Sequence, residues 1–438
     1  MNTILSLFPN GTAVDAHGHL TLRGQRAGAL AEQFGTPLYV YDVGTIRDNI
    51  NAYRRGLERY SGAAQLTYAS KAFLCTALAR LLSREKVGFD VASAGEIFVA
   101  RQGGANPAHM HLHGNNKTTL DLTTALQSGV GQIVVDNTAE LDRLAALAET
   151  FDQTVNIWLR VTPGVAVQTH HQFTVTGTAD SKFGFPLDTA ADVAGKLLAR
   201  AQTLRLRLTG LHIHLGSHFH DARPVAAAIE KLLDVAQSLR EEYGWAMQDL
   251  CPGGGWGVPY HPADPPMPAE PFVAGLVQAV ENGCRRRNLP LPRLILEPGR
   301  SVVAQAGVAL YTVGARKEIA GVRTYVAVDG GLADNPRPAL YGAKYSALLA
   351  NRAAEAAVET VAVAGPFCES GDILIQEVAL PRAQPGDILA VPVAGAYQLS
   401  MSSNYNAALR PAVVFLEQDS ASLVIRRETF KDLVRRDQ

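Results

Sequence analysis

The sequence predicts an α/β fold joined to a β fold. An eight-stranded (β/α)8 TIM barrel is expected over residues 38–300, and a mostly-β domain (a β-barrel or sandwich) over residues 301–438, completed by residues 1–37. Strand-like and helix-like stretches alternate up to about Arg300, with eight strand-like runs in about the 250 residues that such a barrel needs. Polar and glycine-rich motifs follow the ends of those runs. Beyond Arg300, short strand-like runs separated by Gly and Pro replace the alternation.

The N-terminal residues to Thr36 are extended and turn-rich, and Pro37–Tyr41 has the aromatic and β-branched residues of a strand. The barrel strands are expected at residues 65–70, 87–93, 110–114, 132–136, 156–162, 208–215, 249–252 and 293–296. Apolar residues at helical spacing predict the helices between them. These helices are expected at residues 73–82, 118–128, 138–149, 189–201, 222–243 and 269–288. No G-x-G-x-x-G motif follows the first strand, which disfavours a dinucleotide-binding sheet.

The second domain has a different sequence pattern, with short β-like runs and few helical stretches. Its strands are expected at residues 302–313, 324–329, 360–364, 373–380, 387–393, 412–417 and 423–428. Only residues 339–357 and 429–436 are predicted to be helical. The early extended segment has no place in the barrel alternation, so it is expected to complete this domain.

The composition excludes several function classes. The chain of 438 residues has 40 Lys and Arg against 41 Asp and Glu, and a net charge of −1 disfavours broad binding to nucleic acid or anionic lipid. Its four cysteines lack paired spacing, which predicts neither a zinc site nor disulfides and favours a reducing compartment. They are Cys75, Cys251, Cys284 and Cys368. The N-terminus lacks signal-peptide features and no apolar run is long enough to span a bilayer, so a cytoplasmic location is expected.

Lys71 lies where the first barrel strand is expected to end and the following helix to begin. A lysine at such a junction is usually only solvated. Polar or glycine motifs, however, also follow the other seven predicted strands. These motifs are Asp90–Ser93, His113–Lys117, Asp136–Asn137, Arg160, His212–His218, Gly253–Gly255 and Glu297–Arg300. Because the carboxyl ends of barrel strands meet at one rim, where active sites lie, the motifs together predict an active site.

The triplet Gly253–Gly255 lets the backbone approach an anion and direct N–H groups at it. An isolated triple glycine is more often a simple turn. Phosphate sites in barrels are commonly built from the loops after strands seven and eight, and Glu297-Pro-Gly-Arg300 follows at the next strand end. A phosphate-binding loop is therefore the favoured interpretation.

The motifs are distributed over nearly the whole chain, and the longer ones are highly specific. They include Tyr68–Ala72, His113–Lys117, Asp180–Gly184, His214–Ser217, Gly253–Gly255, Glu297–Arg300, Val328–Gly331, Asp334–Tyr341, Gly365–Asp372, Gly395–Tyr397 and Met401–Tyr405. With these motifs the chain resembles the fold type III decarboxylases that depend on pyridoxal phosphate (PLP). Within that family it is most similar to members that act on meso-2,6-diaminopimelate.

The resemblance implies a PLP site. Lys71 would bond the cofactor covalently, Glu297 would favour protonation of the ring nitrogen, and His214 would stack on the ring. The implied cofactor-binding residues are Lys71, Asp90, His214, Ser217, Gly253, Gly254, Gly255, Glu297, Gly299, Arg300 and Tyr397. Lys71, His214 and Cys368 form the implied catalytic set, with Cys368 as the proton donor. No metal site is predicted.

The implied reaction is that of a carboxy-lyase: decarboxylation of meso-2,6-diaminopimelate to L-lysine and CO₂, the last step of lysine biosynthesis. The matching substrate-binding residues are Arg300, Arg337, Tyr341, Glu369 and Tyr397. In the family the residue at Cys368 comes from the partner subunit, which implies a homodimer with shared active sites. By the same analogy, Lys182 would form a salt bridge with Asp372 across that interface.

Phe73 and His218 depart from the family pattern, and residues 168–173 match it only loosely.

Three alternatives stay open. A sister decarboxylase would act on ornithine, lysine, arginine or carboxynorspermidine, but Arg337 and the residues around Cys368 argue against it. An alanine-racemase-like enzyme would place an arginine at the ring nitrogen in the position of Glu297. A non-catalytic PLP carrier usually lacks the second domain, and a regulator derived from the enzyme is expected to have lost Lys71 or Cys368.

Overall fold

The computed structural model describes residues 3–167, 176–178 and 180–438, so the loosely matching residues 168–173 lie outside the described part. The chain divides into two compact units. The barrel unit comprises Asn51–Gly257 and Met267–Gly299. The β unit comprises Met1–Ile50, Val258–Pro266 and Arg300–Gln438.

The strands are numbered in chain order. They are β1 Ala13–Val14, β2 Leu20–Leu22, β3 Gln25–Arg26, β4 Leu38–Asp42, β5 Ala64–Ala69, β6 Gly88–Val91, β7 Met110–Leu112, β8 Gln132–Val135, β9 Val155–Thr162, β10 Phe185–Pro186, β11 Leu206–His212, β12 Asp249–Cys251, β13 Arg293–Leu296, β14 Gly307–Ile319, β15 Arg323–Val328, β16 Leu348–Leu349, β17 Glu359–Ala364, β18 Ile373–Leu380, β19 Ile388–Val391, β20 Ala412–Glu417 and β21 Ser420–Ile425.

The α-helices are numbered in the same way. They are α1 Ala27–Phe34, α2 Val43–Leu57, α3 Thr76–Arg84, α4 Ala94–Gln102, α5 Thr119–Ser128, α6 Thr138–Thr150, α7 Leu187–Ala199, α8 Arg223–Tyr243, α9 Ala269–Arg286, α10 Arg300–Val303, α11 Arg337–Tyr341 and α12 Phe430–Leu433. Short 3₁₀ helices lie at Thr3–Leu7, Ser70–Ala72, Pro107–His109, Ala350–Arg352, Leu399–Met401 and Tyr405–Ala407.

Parallel strands of the barrel unit close into a ring. In the order β5–β6–β7–β8–β9–β11–β12–β13 each strand pairs with the next, and β13 pairs back with β5. Buried side chains from four of these strands pack together, namely Val134, Trp158, Cys251 and Ile295. Because parallel strands are covered on both faces, they are apolar along most of their length. The predicted eight-stranded barrel is confirmed, with each strand boundary within a few residues of the expected one.

The β unit is built on a second sheet in the order β18–β17–β15–β14–β4–β20–β21, with β19 also paired to β14 and β16 paired to β19. Its core includes apolar residues from strands that are far apart in the chain. Among them are Leu20, Leu38, Val40, Val308, Leu310 and Val414. The expectation that the N-terminal segment and the C-terminal part share one mostly-β domain agrees with this sheet.

The division into units differs from the predicted boundary at residue 38. Strand β4 pairs antiparallel with β14 and parallel with β20, and Val40 lies opposite both Val308 and Val414. The segment Val258–Pro266 also belongs to the β unit, although it was expected in the barrel. The local pattern predicts that residues 38–42 form a strand, but it contains no information about which strands flank it.

Several stretches differ from the predicted secondary structure. Residues 27–34, expected to be extended, form α1, whose Ala27, Leu30 and Ala31 are buried. Residues 339–357, expected to be helical, continue α11 only to Tyr341, because Gly342 adopts a left-handed conformation that ends the helix. Beyond it, β16 pairs with β19. Burial in the sheet outweighs the helical propensity of this alanine-rich segment.

The predicted strand at residue 302 also begins later than expected, because α10 occupies its first residues and β14 starts at Gly307. In the part of the chain that the structure describes, no helix combines the length and the apolar character that a membrane crossing requires.

Candidate active site

Lys71 lies in the 3₁₀ turn Ser70–Ala72, directly after β5, and it is exposed. The turn is held from two sides. The hydroxyl of Tyr68 donates to the carbonyl of Phe73 at 2.8 Å, and the backbone N–H of Ala69 donates to Pro298 at 3.0 Å. A Cβ on Gly299 would lie 3.0 Å from the Cβ of Ala69, so this glycine permits close packing against the turn. The predicted position of Lys71 at a strand end is therefore observed.

Glu297 follows β13 and its side chain is buried among three histidines. His111 Nδ1 lies 3.2 Å and His113 Nε2 3.0 Å from Glu297 Oε1, and His212 Nε2 lies 3.0 Å from Oε2. A buried carboxylate needs such hydrogen bonds to offset its loss of hydration. His111 is not among the predicted site residues, although the alternation in His111-Leu-His113 predicts that both imidazoles face the same side of their strand.

The electrostatics of this cluster favour an ionised Glu297. Burial alone would raise the pKa of Glu297, but His113, His212 and the hydrogen bonds from His111 and His113 outweigh it and hold that pKa well below its ordinary value. Burial lowers the pKa of His212 to about 3, so His212 is neutral at physiological pH. The cluster thus presents an ionised carboxylate that is hydrogen-bonded to three imidazoles, of which His212 is neutral.

His214 follows β11, and its Nδ1 accepts a hydrogen bond from the Gly254 N–H at 3.4 Å. Burial lowers the pKa of His214 well below its ordinary value, and the positive charges of Lys71 and Arg160 lower it further. His214 is therefore a neutral imidazole, fixed by the glycine loop on one edge and close enough to Lys71 to sense its charge. A neutral aromatic ring suits stacking on another planar ring.

The glycine triplet leaves no room for side chains. A Cβ on Gly253 would lie 2.5 Å from the Ile213 carbonyl oxygen, and one on Gly254 would lie 2.0 Å from the Glu297 carbonyl oxygen. Gly255, at φ +100°, would place a Cβ 2.0 Å from the Gly216 carbonyl oxygen. Only glycine fits at these positions, and the bare backbone can approach an anionic group closely. The geometry agrees with the predicted phosphate-binding loop.

The other predicted rim residues lie beside these groups. Asp90 is buried at the end of β6, with Oδ1 3.7 Å from His113 Nε2, and it contacts the histidine cluster. Ser217 is half-buried in the loop between His214 and His218. Behind them, Lys117 Nζ donates to Glu140 Oε1 at 2.7 Å in a buried ion pair.

The β unit holds a second polar cluster, in which two buried arginines share one tyrosine. Arg300 Nη1 and Arg337 Nη1 donate to the Tyr260 hydroxyl oxygen at 2.7 and 3.0 Å. Arg337 Nη1 also contacts the Tyr345 hydroxyl. The Arg300 guanidinium lies over the ring of Tyr397, 4.8 Å from its centroid. Three of the predicted substrate-binding or cofactor-binding residues (Arg300, Arg337 and Tyr397) therefore lie together.

Charge distribution makes this cluster unusual. Burial alone would raise the pKa of Tyr260, but the charges of Arg300 and Arg337 outweigh it and lower that pKa. Among the described residues, no carboxylate lies within 4.0 Å of the Arg337 nitrogens, and its Nη1 contacts two phenol oxygens. Sequence reasoning did not identify Tyr260, because it lies in a proline-rich segment whose return to the β unit leaves no periodic signal.

Cys368 lies in an exposed loop between β17 and β18 and is the exposed member of the four free cysteines. Its backbone N–H donates to Asn406 Oδ1 at 2.9 Å, and the Tyr405 hydroxyl donates to its carbonyl at 3.3 Å. Glu369 is exposed beside it, and Tyr341 is half-buried at the end of α11. Asn406, which was not predicted, therefore helps to hold the loop that carries Cys368.

The predicted partner of Lys182 is already engaged within its own subunit. Asp372 is buried, and its carboxylate accepts hydrogen bonds from the backbone N–H groups of Leu332 at 2.7 Å and Phe367 at 2.9 Å. These contacts explain the Gly-Asp pair as an anchor for the Cys368 loop. The intersubunit salt bridge between Lys182 and Asp372 stays a prediction, since a carboxylate has lone pairs beyond the two that these N–H groups occupy.

A family model described as "Pyridoxal-dependent decarboxylase, pyridoxal binding domain" matches residues 43–304. The chain belongs to this family. It is 43% identical over 432 residues to a diaminopimelate decarboxylase of Bacillus subtilis (strain 168), with 98% of each chain covered. A crystal structure of diaminopimelate decarboxylase from M. jannaschii with L-lysine matches with a TM-score of 0.88 at 32% identity, covering 98% of both chains. The Helicobacter pylori enzyme with L-lysine matches with a TM-score of 0.84 at 29% identity, covering 93% of this chain and 98% of that one.

The residues of this pyridoxal-dependent decarboxylase fit its cofactor. Lys71 is exposed and carries the amine that the cofactor would bond, and the buried carboxylate of Glu297 suits a protonated ring nitrogen. The glycine triplet, where a Cβ at any position would clash with a backbone carbonyl oxygen, has the bare backbone that suits a phosphate group. His214 is neutral and held at its edge by this loop.

Proposed function

We propose that the chain removes one carboxylate of meso-2,6-diaminopimelate, releasing CO₂ and L-lysine in the last step of lysine biosynthesis. The observation that carries this proposal is the buried Glu297 carboxylate, which three histidines orient at the barrel rim. When bound, PLP supplies an electron sink for the electrons left behind by departing CO₂. A carboxylate at the ring nitrogen strengthens that sink, whereas the arginine of a racemase would weaken it. The full-length similarity to diaminopimelate decarboxylases supports the choice of substrate.

Different residues of the barrel unit would hold different parts of the cofactor. Lys71 Nζ would hold it covalently. Glu297 would hold the proton of the ring nitrogen. His214 would lie against the ring, and the backbone N–H groups of Gly253–Gly255, with Ser217, would hold the phosphate. Asp90 and Gly299 support the His113 and Lys71 sides of the site.

The β-unit residues bind substrate and deliver a proton. Arg300, Arg337 and Tyr341 hold the distal carboxylate of diaminopimelate, and Glu369 holds its distal ammonium group. Tyr397 contacts both cofactor and substrate. Cys368 Sγ donates a proton to the carbon that CO₂ has left. Lysine or ornithine lacks the distal carboxylate and would leave a buried arginine unpaired, at a cost on the order of 3–5 kcal/mol.

The substrate assignment is tested with four amino acids. Purified protein with PLP is incubated separately with meso-diaminopimelate, lysine, ornithine and arginine, and CO₂ and amine products are measured. We expect CO₂ from diaminopimelate alone, with L-lysine as the product, because only that substrate satisfies the Arg337 guanidinium. Release of CO₂ only from ornithine or lysine would contradict the assignment and favour a sister decarboxylase.

We further propose a cytoplasmic homodimer in which Cys368 and Glu369 act in the partner's site; the exposure of both side chains in a single chain supports this arrangement. Lys71→Ala and Cys368→Ala proteins, each inactive alone, are mixed under subunit exchange. About a quarter of wild-type activity is then expected, because about half of the dimers are mixed and one of the two sites in each mixed dimer has both residues.

Each variant alone under the same exchange conditions is the control for this mixing experiment, and sedimentation reports the dimer. No recovery of activity in a sample shown to contain mixed dimers would contradict sharing of the sites.

A further inference from the structure

Tyr260 is the common contact of the two buried guanidinium groups in the β unit. Its hydroxyl oxygen accepts hydrogen bonds from Arg300 and Arg337 at 2.7 and 3.0 Å, and its ring lies beneath both cations, 5.9 and 5.1 Å from its centroid. The ring of Tyr345 packs against it edge-on at 5.5 Å. Tyr260, Arg300 and Arg337 are all nearly inaccessible to solvent. The phenol therefore determines where two like charges lie.

The choice of a phenol in this position has a chemical consequence. A carboxylate between two arginines would neutralise one of their two charges and occupy their paired donors. A phenol oxygen takes one N–H from each guanidinium and leaves the remaining donors for another acceptor. In the described part of the chain, both phenol contacts of Arg337 use Nη1, and neither uses Nη2 or Nε. The phenol therefore orients the Arg337 guanidinium and leaves it positively charged.

We infer that Tyr260 is a positioning residue for substrate specificity: its hydroxyl holds Arg300 and Arg337 together as one receptor for the distal carboxylate of a dicarboxylic substrate. The inference rests on the proposed function for the identity of that substrate. Tyr260 acts through the two arginines, so it affects binding of the distal carboxylate much more than the chemical step.

The test is Tyr260→Phe in the PLP-loaded protein. Loss of a hydrogen bond to a charged group is expected to raise KM for meso-diaminopimelate by roughly tenfold or more. The same loss should leave kcat within about threefold of wild type, because binding that is equal in the ground and transition states affects KM alone. Calorimetric titration with pimelate, a dicarboxylate of the same length without amines, measures carboxylate binding without turnover, and its Kd should rise with KM.

Two further variants provide the comparison. Tyr60→Phe removes a buried hydroxyl that donates to the Pro292 carbonyl in the barrel unit, and it should leave KM and the pimelate Kd unchanged. Tyr345→Phe removes a hydroxyl that contacts Arg337 but not the shared oxygen, and a rise of roughly threefold is expected for both constants. If Tyr260→Phe fails to fold, unchanged constants in Tyr345→Phe overturn the inference.

A Tyr260→Phe protein whose KM and Kd stay within about twofold of wild type would overturn the inference, and so would one whose kcat falls as far as its KM rises. Failure of the proposed function looks different, since the wild-type protein would then release no CO₂ from diaminopimelate. In that case the pimelate titration still decides whether Tyr260 organises a carboxylate site.

Discussion

Lys71→Ala is expected to abolish decarboxylation and the long-wavelength absorbance of lysine-bound PLP. The side chain projects from the turn after β5, and that turn is fixed by Tyr68 and by the packing of Gly299 on Ala69. Alanine preserves the turn but removes the amine, so the defect should be chemical and not structural. Absorbance of the PLP-loaded protein and CO₂ release measure the two effects.

The matched control for this prediction is Lys196→Ala, which removes an exposed lysine paired with Asp192 on α7. It should keep wild-type absorbance and activity. Survival of the absorbance band in Lys71→Ala would assign the covalent bond to another lysine and contradict the proposed site.

Glu297→Gln is expected to lower kcat by about 10²–10³-fold while PLP remains bound. The carboxylate accepts hydrogen bonds from three histidines and is held in its ionised form. An amide carries no charge and cannot favour a protonated ring nitrogen, so the electron sink weakens. Single-turnover CO₂ release, with PLP content measured in parallel, separates slow chemistry from loss of cofactor.

Glu297→Asp is the comparison variant, since it keeps the charge with a shorter side chain. It should recover part of the lost rate. Equal activity in wild type and Glu297→Gln would remove the carboxylate from the mechanism and would reopen the racemase-like interpretation.

The rim of the barrel was predictable because strand ends are local features of the sequence. Lys71, His214, Gly253–Gly255 and Glu297 each follow a stretch whose composition predicts a strand, and the ring of parallel strands brings those ends to one side. The His111-Leu-His113 alternation carried a further signal, since residues two apart on a strand share a face. Local pattern and tertiary arrangement agree in this part of the chain.

Features set by long-range contacts could not be predicted in the same way. Strand β4 has a clear strand composition, but its pairing with β14 and β20 depends on residues more than 250 positions away. Tyr260 lies in a short segment that returns to the β unit, and Asn406 contacts Cys368 across 38 residues. Residues 339–357 have helical composition, yet β16 forms there because its leucines fill the core.

The proposed reaction depends on a covalent bond between PLP and Lys71 at the barrel rim. Borohydride reduction of the PLP-loaded protein makes that bond permanent, and mass spectrometry of its peptides then locates the pyridoxyl group. We expect a single modified residue, Lys71. Modification at a different lysine, or none in protein that decarboxylates diaminopimelate, would contradict it.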